Sequence, residues 1–266
     1  MNAKKIRLII EKEFDEIMKN KLVLSTLLLM PLLFAIVIPA AMILPAILSP
    51  DQLTGNETMD LVKNLPGAEN MGAQEAYIVF MVSAILPFFM ILPAILPTII
   101  SSYSIVGEKK NRTLEPLLAA PIAVEDILAG KALAALLPAL VATWISAAVF
   151  AVMVYVLTNN IVHRILVPDT TWLIGLFILG PLVAFLGVMF TIIISSRVND
   201  PRTAQQVSVI FILPIMAIFM AQMFGVLLIN ETVMLGVCVV VLIADVAVVK
   251  IGSDLFDREG ILTRWK

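Results

Sequence analysis

The chain has 266 residues, of which 61% are hydrophobic and 14% charged, with a formal net charge of −2 and one cysteine. Soluble domains carry about a quarter charged residues, so composition excludes an ordinary soluble domain, and the lone Cys238 excludes an intrachain disulfide. The period-two alternation of barrel strands is absent, which leaves an all-α polytopic membrane protein.

Residues 1–21 place Ile6, Ile10, Phe14, Ile17 and Met18 at helical spacing, with Lys4, Lys5, Arg7, Lys12 and Glu16 largely elsewhere. That pattern fits an N-terminal amphipathic elbow helix on the inner membrane surface or a plain cytoplasmic anchor. A spanning helix needs about 20 mostly apolar residues, and six windows follow at about 22–48, 77–106, 127–157, 172–195, 207–229 and 233–251. The first is too long for a signal-peptide core and follows acidic as well as basic residues, so it is kept as a span. Sixteen of the eighteen Lys and Arg fall on one side of this arrangement, and only Lys63 and Arg164 on the other. The positive-inside rule then puts both termini, the 107–121 connector and the 252–266 tail in the cytoplasm.

The loop from Ser49 to Ala76 is acidic and external. The heptapeptide MILPAIL occurs twice, at Met42 to Leu48 and Met90 to Leu96, with no continuing match around it. Nine of the fifteen prolines lie inside spans, where each removes a backbone hydrogen bond and tends to kink the helix. Along the third span small residues recur every fourth position, Gly130, Ala134, Ala142 and Ser146 on one ridge and Ala135, Ala139, Thr143, Ala147 and Ala151 on the next. Such ridges let helix backbones approach closely, so this span is expected inside protein.

Enzymatic chemistry lacks its parts. There is no GxSxG or HExxH, and the single histidine, His163, stands alone in an external loop, so neither a triad nor a metal site can be assembled. No GxxxxGK[ST] occurs: Gly130 and Lys131 are adjacent, but the position that requires the other glycine is Glu125. Within the spans the one clear full charge is Asp245, which either serves an ion or substrate path or is neutralised by a nearby base such as Lys250. Gln222, in the fifth span, either lines a path or bonds between helices.

The connector between spans two and three reads GEKKNRTLEPLLAAP from Gly107 to Pro121. In helical register Leu114, Leu117, Leu118 and Pro121 fall on one side, and Glu108, Lys109, Arg112 and Glu115 offer charge on another. This is a short amphipathic helix bracketed by Gly107 and Pro121, suited to docking a soluble partner or to lying on the membrane surface. The stretch resembles the intracellular connector of ABC-2 type permeases, the membrane subunits of ATP-binding-cassette exporters. Glu108, Thr113, Leu114, Glu115, Leu117, Leu118 and Pro121 match its pattern, whereas its small residue, usually glycine, is Arg112 here. Ser195 to Ile215 is similar to the family's loop between spans four and five, and Leu255 to Lys266 to the tail of sodium-export-like members.

The resemblance implies a non-catalytic half-transporter, with 107–121 as a coupling helix moved by a separate ATPase through alternating access. It implies two ATPase subunits that bind ATP and Mg, no cofactor in this chain, and a second copy or related permease in the plasma membrane, with no nucleic-acid partner. Family members often carry a re-entrant hairpin between spans five and six, where only about four residues separate the two windows here. The alternatives from other classes are a membrane scaffold that docks a cytoplasmic protein and an ion-coupled carrier using Asp245.

Overall fold

The computed structural model describes residues 2–49, 71–113, 116, 122–162, 165–198, 200–224, 226 and 229–255. Among them there are helices and no strands, and six helical stretches are long and apolar enough to cross a membrane: Lys21–Leu48, Ala73–Glu108, Glu125–Thr158, Thr170–Ser195, Pro201–Gln222 and Glu231–Ile251. Residues 50–70, most of the loop from Ser49 to Ala76, and residues 256–266 of the tail lie outside the described residues.

Helix α1, Ala3–Lys19, precedes the spans and stops at Asn20. Asn20 leaves helical geometry, with φ −87° and ψ 97°, and its side chain then accepts hydrogen bonds from the Leu22 and Val23 amides, so one residue ends α1 and caps the next helix. The first span is α2, Lys21–Leu32, a π turn at Leu33–Val37, and α3, Ile38–Leu48. The second is α4, Ala73–Phe89, and α5, Ile91–Lys110. Its break at Met90 has a local cause, because the donor that would serve the Phe89 carbonyl in an unbroken helix belongs to Pro93, which has no N–H.

The third span is α6, Val124–Thr158. The fourth is α7, Thr170–Ile174, a π turn at Gly175–Leu179, and α8, Gly180–Arg197. The fifth is α9, Pro201–Ser208, a 3₁₀ turn at Val209–Ile212, and α10, Leu213–Met223; α11, Glu231–Leu255, is the sixth. The fifth span begins six residues before its apolar window. Pro201 is preset for a first helical turn, and Asp200 accepts from the Thr203 amide, so the polar stretch to Ser208 is helical too. It also ends at Met223, and residues 224–230 separate it from the sixth span, more than the four expected.

The second span is the centre of the bundle, with 81% of its apolar window buried against 33% for the third. Within this chain the third span is less enclosed than the second, since one of its faces turns outward. Its small ridges are buried, including Gly130, Ala134, Ala135, Ala139, Thr143 and Ser146, but Leu133, Leu137, Val141, Ile145 and Val152 face outward. A small ridge permits one close face and does not require two. The fourth span approaches the second closely at Gly187, where a Cβ would lie 3.0 Å from the Ala94 carbonyl oxygen and 2.9 Å from Phe211 of the fifth span. Away from the connector, Phe89, Phe150 and Trp172 join spans two, three and four, with ring centroids 4.9–5.6 Å apart.

Candidate functional site

The helix of the second span does not stop at Val106. It runs to Lys110, so Gly107 and Glu108 belong to the span and Gly107 does not bracket a separate connector helix. The consequence for Glu108 is large, because its side chain turns into the protein, 3% exposed, instead of standing on a solvated face. Lys131, near the start of the third span and 4% exposed, places its Nζ 2.9 Å from Glu108 Oε2. The same Nζ donates to Glu13 Oε1 at 2.6 Å and to Ser104 Oγ at 2.9 Å, and Ser104 Oγ donates to Glu13 Oε2 at 2.5 Å. Lys12 closes the cluster at its half-exposed edge, donating to Glu108 Oε1 and lying 3.4 Å from Glu13 and 3.2 Å from Glu16.

Three buried charges would be intolerable singly, since each costs several kcal/mol to desolvate. Here Lys131 bridges two carboxylates and Lys12 supplies the balancing charge. Burial works against the Glu13 carboxylate, but the charge and hydrogen bond of Lys131, with Ser104, outweigh it and hold that carboxyl below its ordinary value. Burial likewise opposes the Lys12 ammonium, and Glu108, Glu13 and Glu16 outweigh it, holding Lys12 well above the usual lysine range.

Helix α1 is seated to make this possible. The Asn2 amide donates to the buried Asp126 at 3.0 Å, and Ile9 packs so close to Gly130 that a Cβ there would lie 2.7 Å from it. The face of α1 turned inward is Ile6, Ile9, Glu13 and Ile17, while Phe14 and Met18 are exposed. Glu13 thus occupies an apolar-face position, the signal that sequence reading had available and passed over. Ser104 carried no signal of its own, and Lys131 had figured only in the charge count and in the rejected phosphate-loop motif.

Beyond Lys110 the chain turns through Arg112, whose φ of 56° is the left-handed conformation in which glycine is at ease. Thr113 follows, its amide donating to the Glu108 carbonyl at 3.0 Å, and both residues are exposed. Leu114, Glu115, Leu117, Leu118 and Pro121 lie outside the described residues.

The two candidates for a substrate path are not brought together with this cluster. Gln222 is 2% exposed and its Nε2 donates to the Ser83 carbonyl at 3.0 Å, an interhelical bond between spans five and two. Asp245 is 4% exposed, and neither carboxylate oxygen has a hydrogen-bond partner among the described residues, so Lys250 does not neutralise it directly. A cavity of about 230 Å³ lies elsewhere, among Val79, Ser83, Leu86, Asp169 and Trp172. Among the described residues no cluster of His, Cys, Asp and Glu could hold a metal.

Compared with known proteins, residues 7–249 match the model of a family described as ABC-2 family transporter protein. No curated protein and no solved structure matches the chain.

Proposed function

Because the chain belongs to the ABC-2 transporter family and is thus a multi-pass membrane permease of an ABC transporter, we propose that it is one half of an exporter in the plasma membrane. Two separate ATPase subunits bind ATP and Mg and do the hydrolysis; this chain is not an enzyme and needs no cofactor of its own. The 107–121 connector is the coupling helix, on the cytoplasmic side with both termini. ATP binding closes the ATPase pair, displaces the connector and favours one of two permease states, which is alternating access.

One observation carries this reading. Glu108, at the root of the connector, is ion-paired with Lys131 of the third span, which also holds Glu13 of α1, and accepts from Lys12 of α1, so a push on the connector moves three elements together. A connector that only crossed the membrane surface would need no such tie. The outward apolar residues of the first and sixth spans, such as Leu28, Leu29, Val239 and Val240, supply surface for lipid and for a second permease copy.

The test is co-expression with a candidate ABC ATPase subunit, purification through a tag on the permease, and measurement of co-elution and ATP turnover. Leu114→Asp is expected to release the ATPase or uncouple its turnover while the permease stays folded, and Glu108→Ala to do the same with some loss of stability. An ATPase that never co-elutes, or turnover indifferent to both changes, would leave the scaffold reading standing. Ion coupling has one observation in its favour, the buried and unpartnered carboxylate of Asp245. Asp245→Asn transporting normally removes it.

A further inference from the structure

The first and fourth spans carry the same irregularity. In each, a five-residue π turn, Leu33–Val37 and Gly175–Leu179, ends two residues before a proline, Pro39 and Pro181. Both turns close with an i→i+5 bond, from the Ile38 amide to the Leu33 carbonyl and from the Gly180 amide to the Gly175 carbonyl. A π turn followed by proline strands a carbonyl. Leu176 O is such a case: the Gly180 amide that would serve it in an α-helix is spent on Gly175, and the next donor in π register would be Pro181, which has none. In the membrane a stranded backbone group must find a partner inside the protein.

The partner is on the third span. Trp144 Nε1 donates to the Leu176 carbonyl at 3.0 Å, and the ring lies 5.4 Å from Phe177 of the same turn. Two residues on, Ser146 Oγ donates to the Pro31 carbonyl at 2.6 Å, in the turn that leads into the other π segment. Positions two apart on a helix point about 200° from one another, so α6 stands between the two irregular helices and serves both from one level. We propose that Trp144 is a positioning residue that latches the π turn of the fourth span at its stranded carbonyl, that Ser146 anchors the helical turn leading into the π turn of the first span, and that these two held segments are the bending points of the first and fourth spans. Linking two hinges to a single continuous helix makes them respond together when α6 is displaced, a role that rests on the coupling reading above, whereas the bonds themselves do not.

The experiment is amide hydrogen exchange on the full chain in lipid nanodiscs, comparing wild type with Trp144→Phe, which keeps the ring and removes the donor, and Ser146→Ala. Losing one hydrogen bond is expected to speed exchange about five- to tenfold. For Trp144→Phe the faster segment should be 175–182, with 31–38 unchanged, and for Ser146→Ala the reverse. Exchange unchanged in both segments, or raised alike in all six spans, overturns the latch. In the complex with the ATPase, ATP and vanadate should alter exchange at both segments in wild type. A connector that responds while neither segment does overturns the hinge role and leaves the proposed function intact. A complex in which nothing responds counts against the coupling reading, and the comparison of the variants still decides the latch.

Discussion

Spans two and three are joined twice, by opposite chemistry. At the connector end the joint is Glu108, Lys131, Glu13 and Ser104; farther along, it is Phe89 against Phe150, with Trp172 of the fourth span stacked on the latter. Aromatic packing is broad, tolerant of small shifts and indifferent to pH. An ionic joint has few alternative partners and holds only while every member is in place. The permease therefore has a forgiving joint in the body of the bundle and an exacting one where a mechanical signal is proposed to enter.

The largest effect should come from removing the common partner of the ionic joint. Lys131→Met leaves Glu13 and Glu108 buried without their bridge, and breaking a buried pair costs about 3–5 kcal/mol. Thermal unfolding in detergent should show a loss of that order or a failure to yield folded protein. A change under about 1 kcal/mol would mean the joint contributes no more than an exposed ion pair does, and the contrast with the aromatic end would disappear. Phe150→Ala should cost a similar or slightly smaller amount, about 3 kcal/mol from lost contacts and the cavity left behind. The two substitutions should differ in kind, because only the first should change the pH profile of stability.

That profile has a definite sign. The Glu13 carboxyl is lowered from its ordinary 4.5 in the folded chain, so its contribution is present above pH 4.5 and is lost as pH falls through the folded value. Lys12 is raised from its ordinary 10.5, so its contribution is complete below pH 10.5 and is lost as pH rises beyond it. The contribution of these two groups should be flat between these limits in wild type and should fall in acid. Glu13→Gln should flatten the acid limb, and an unchanged acid limb would remove Glu13 from the joint.

How legible these joints were in the sequence differs for physical reasons. Six spans follow from local composition, which is why their number held, whereas the second runs on to Lys110 and the fifth lies at 201–223, because helix ends depend on caps and neighbours. Orientation of a side chain depends on what it meets. The heptapeptide MILPAIL shows this within one chain: at Met42 to Leu48 it is a continuous helix with Leu44 and Leu48 exposed, and at Met90 to Leu96 it begins at a break with Met90, Ile91, Leu92, Ala94 and Leu96 buried. Seven identical residues are buried differently because their neighbours differ, and their backbone differs only at the first. Glu108 was misjudged on the same ground, since a charge beyond an apolar window reads as solvated until a buried Lys131 is found facing it. Glu13 was legible in principle, because it stands on the helix face of Ile6 and Ile17.

The smallest effect tests where the exacting region stops. Arg112 holds φ 56° two residues past the end of α5, a conformation that costs a side-chain-bearing residue roughly 1–2 kcal/mol and glycine almost nothing. Glycine also loses more freedom on folding, which offsets part of the gain. Arg112→Gly should therefore stabilise the turn by about 0.5–1 kcal/mol, read as slower amide exchange at Asn111 and Thr113, whose amides donate to the Gly107 and Glu108 carbonyls. Arg112→Val, β-branched at the same φ, should speed it. If neither variant alters exchange, the turn is free to relax, and the rigid joint ends at Glu108; if both move as expected, the rigidity of the Glu108 cluster extends into the chain that leads to the connector.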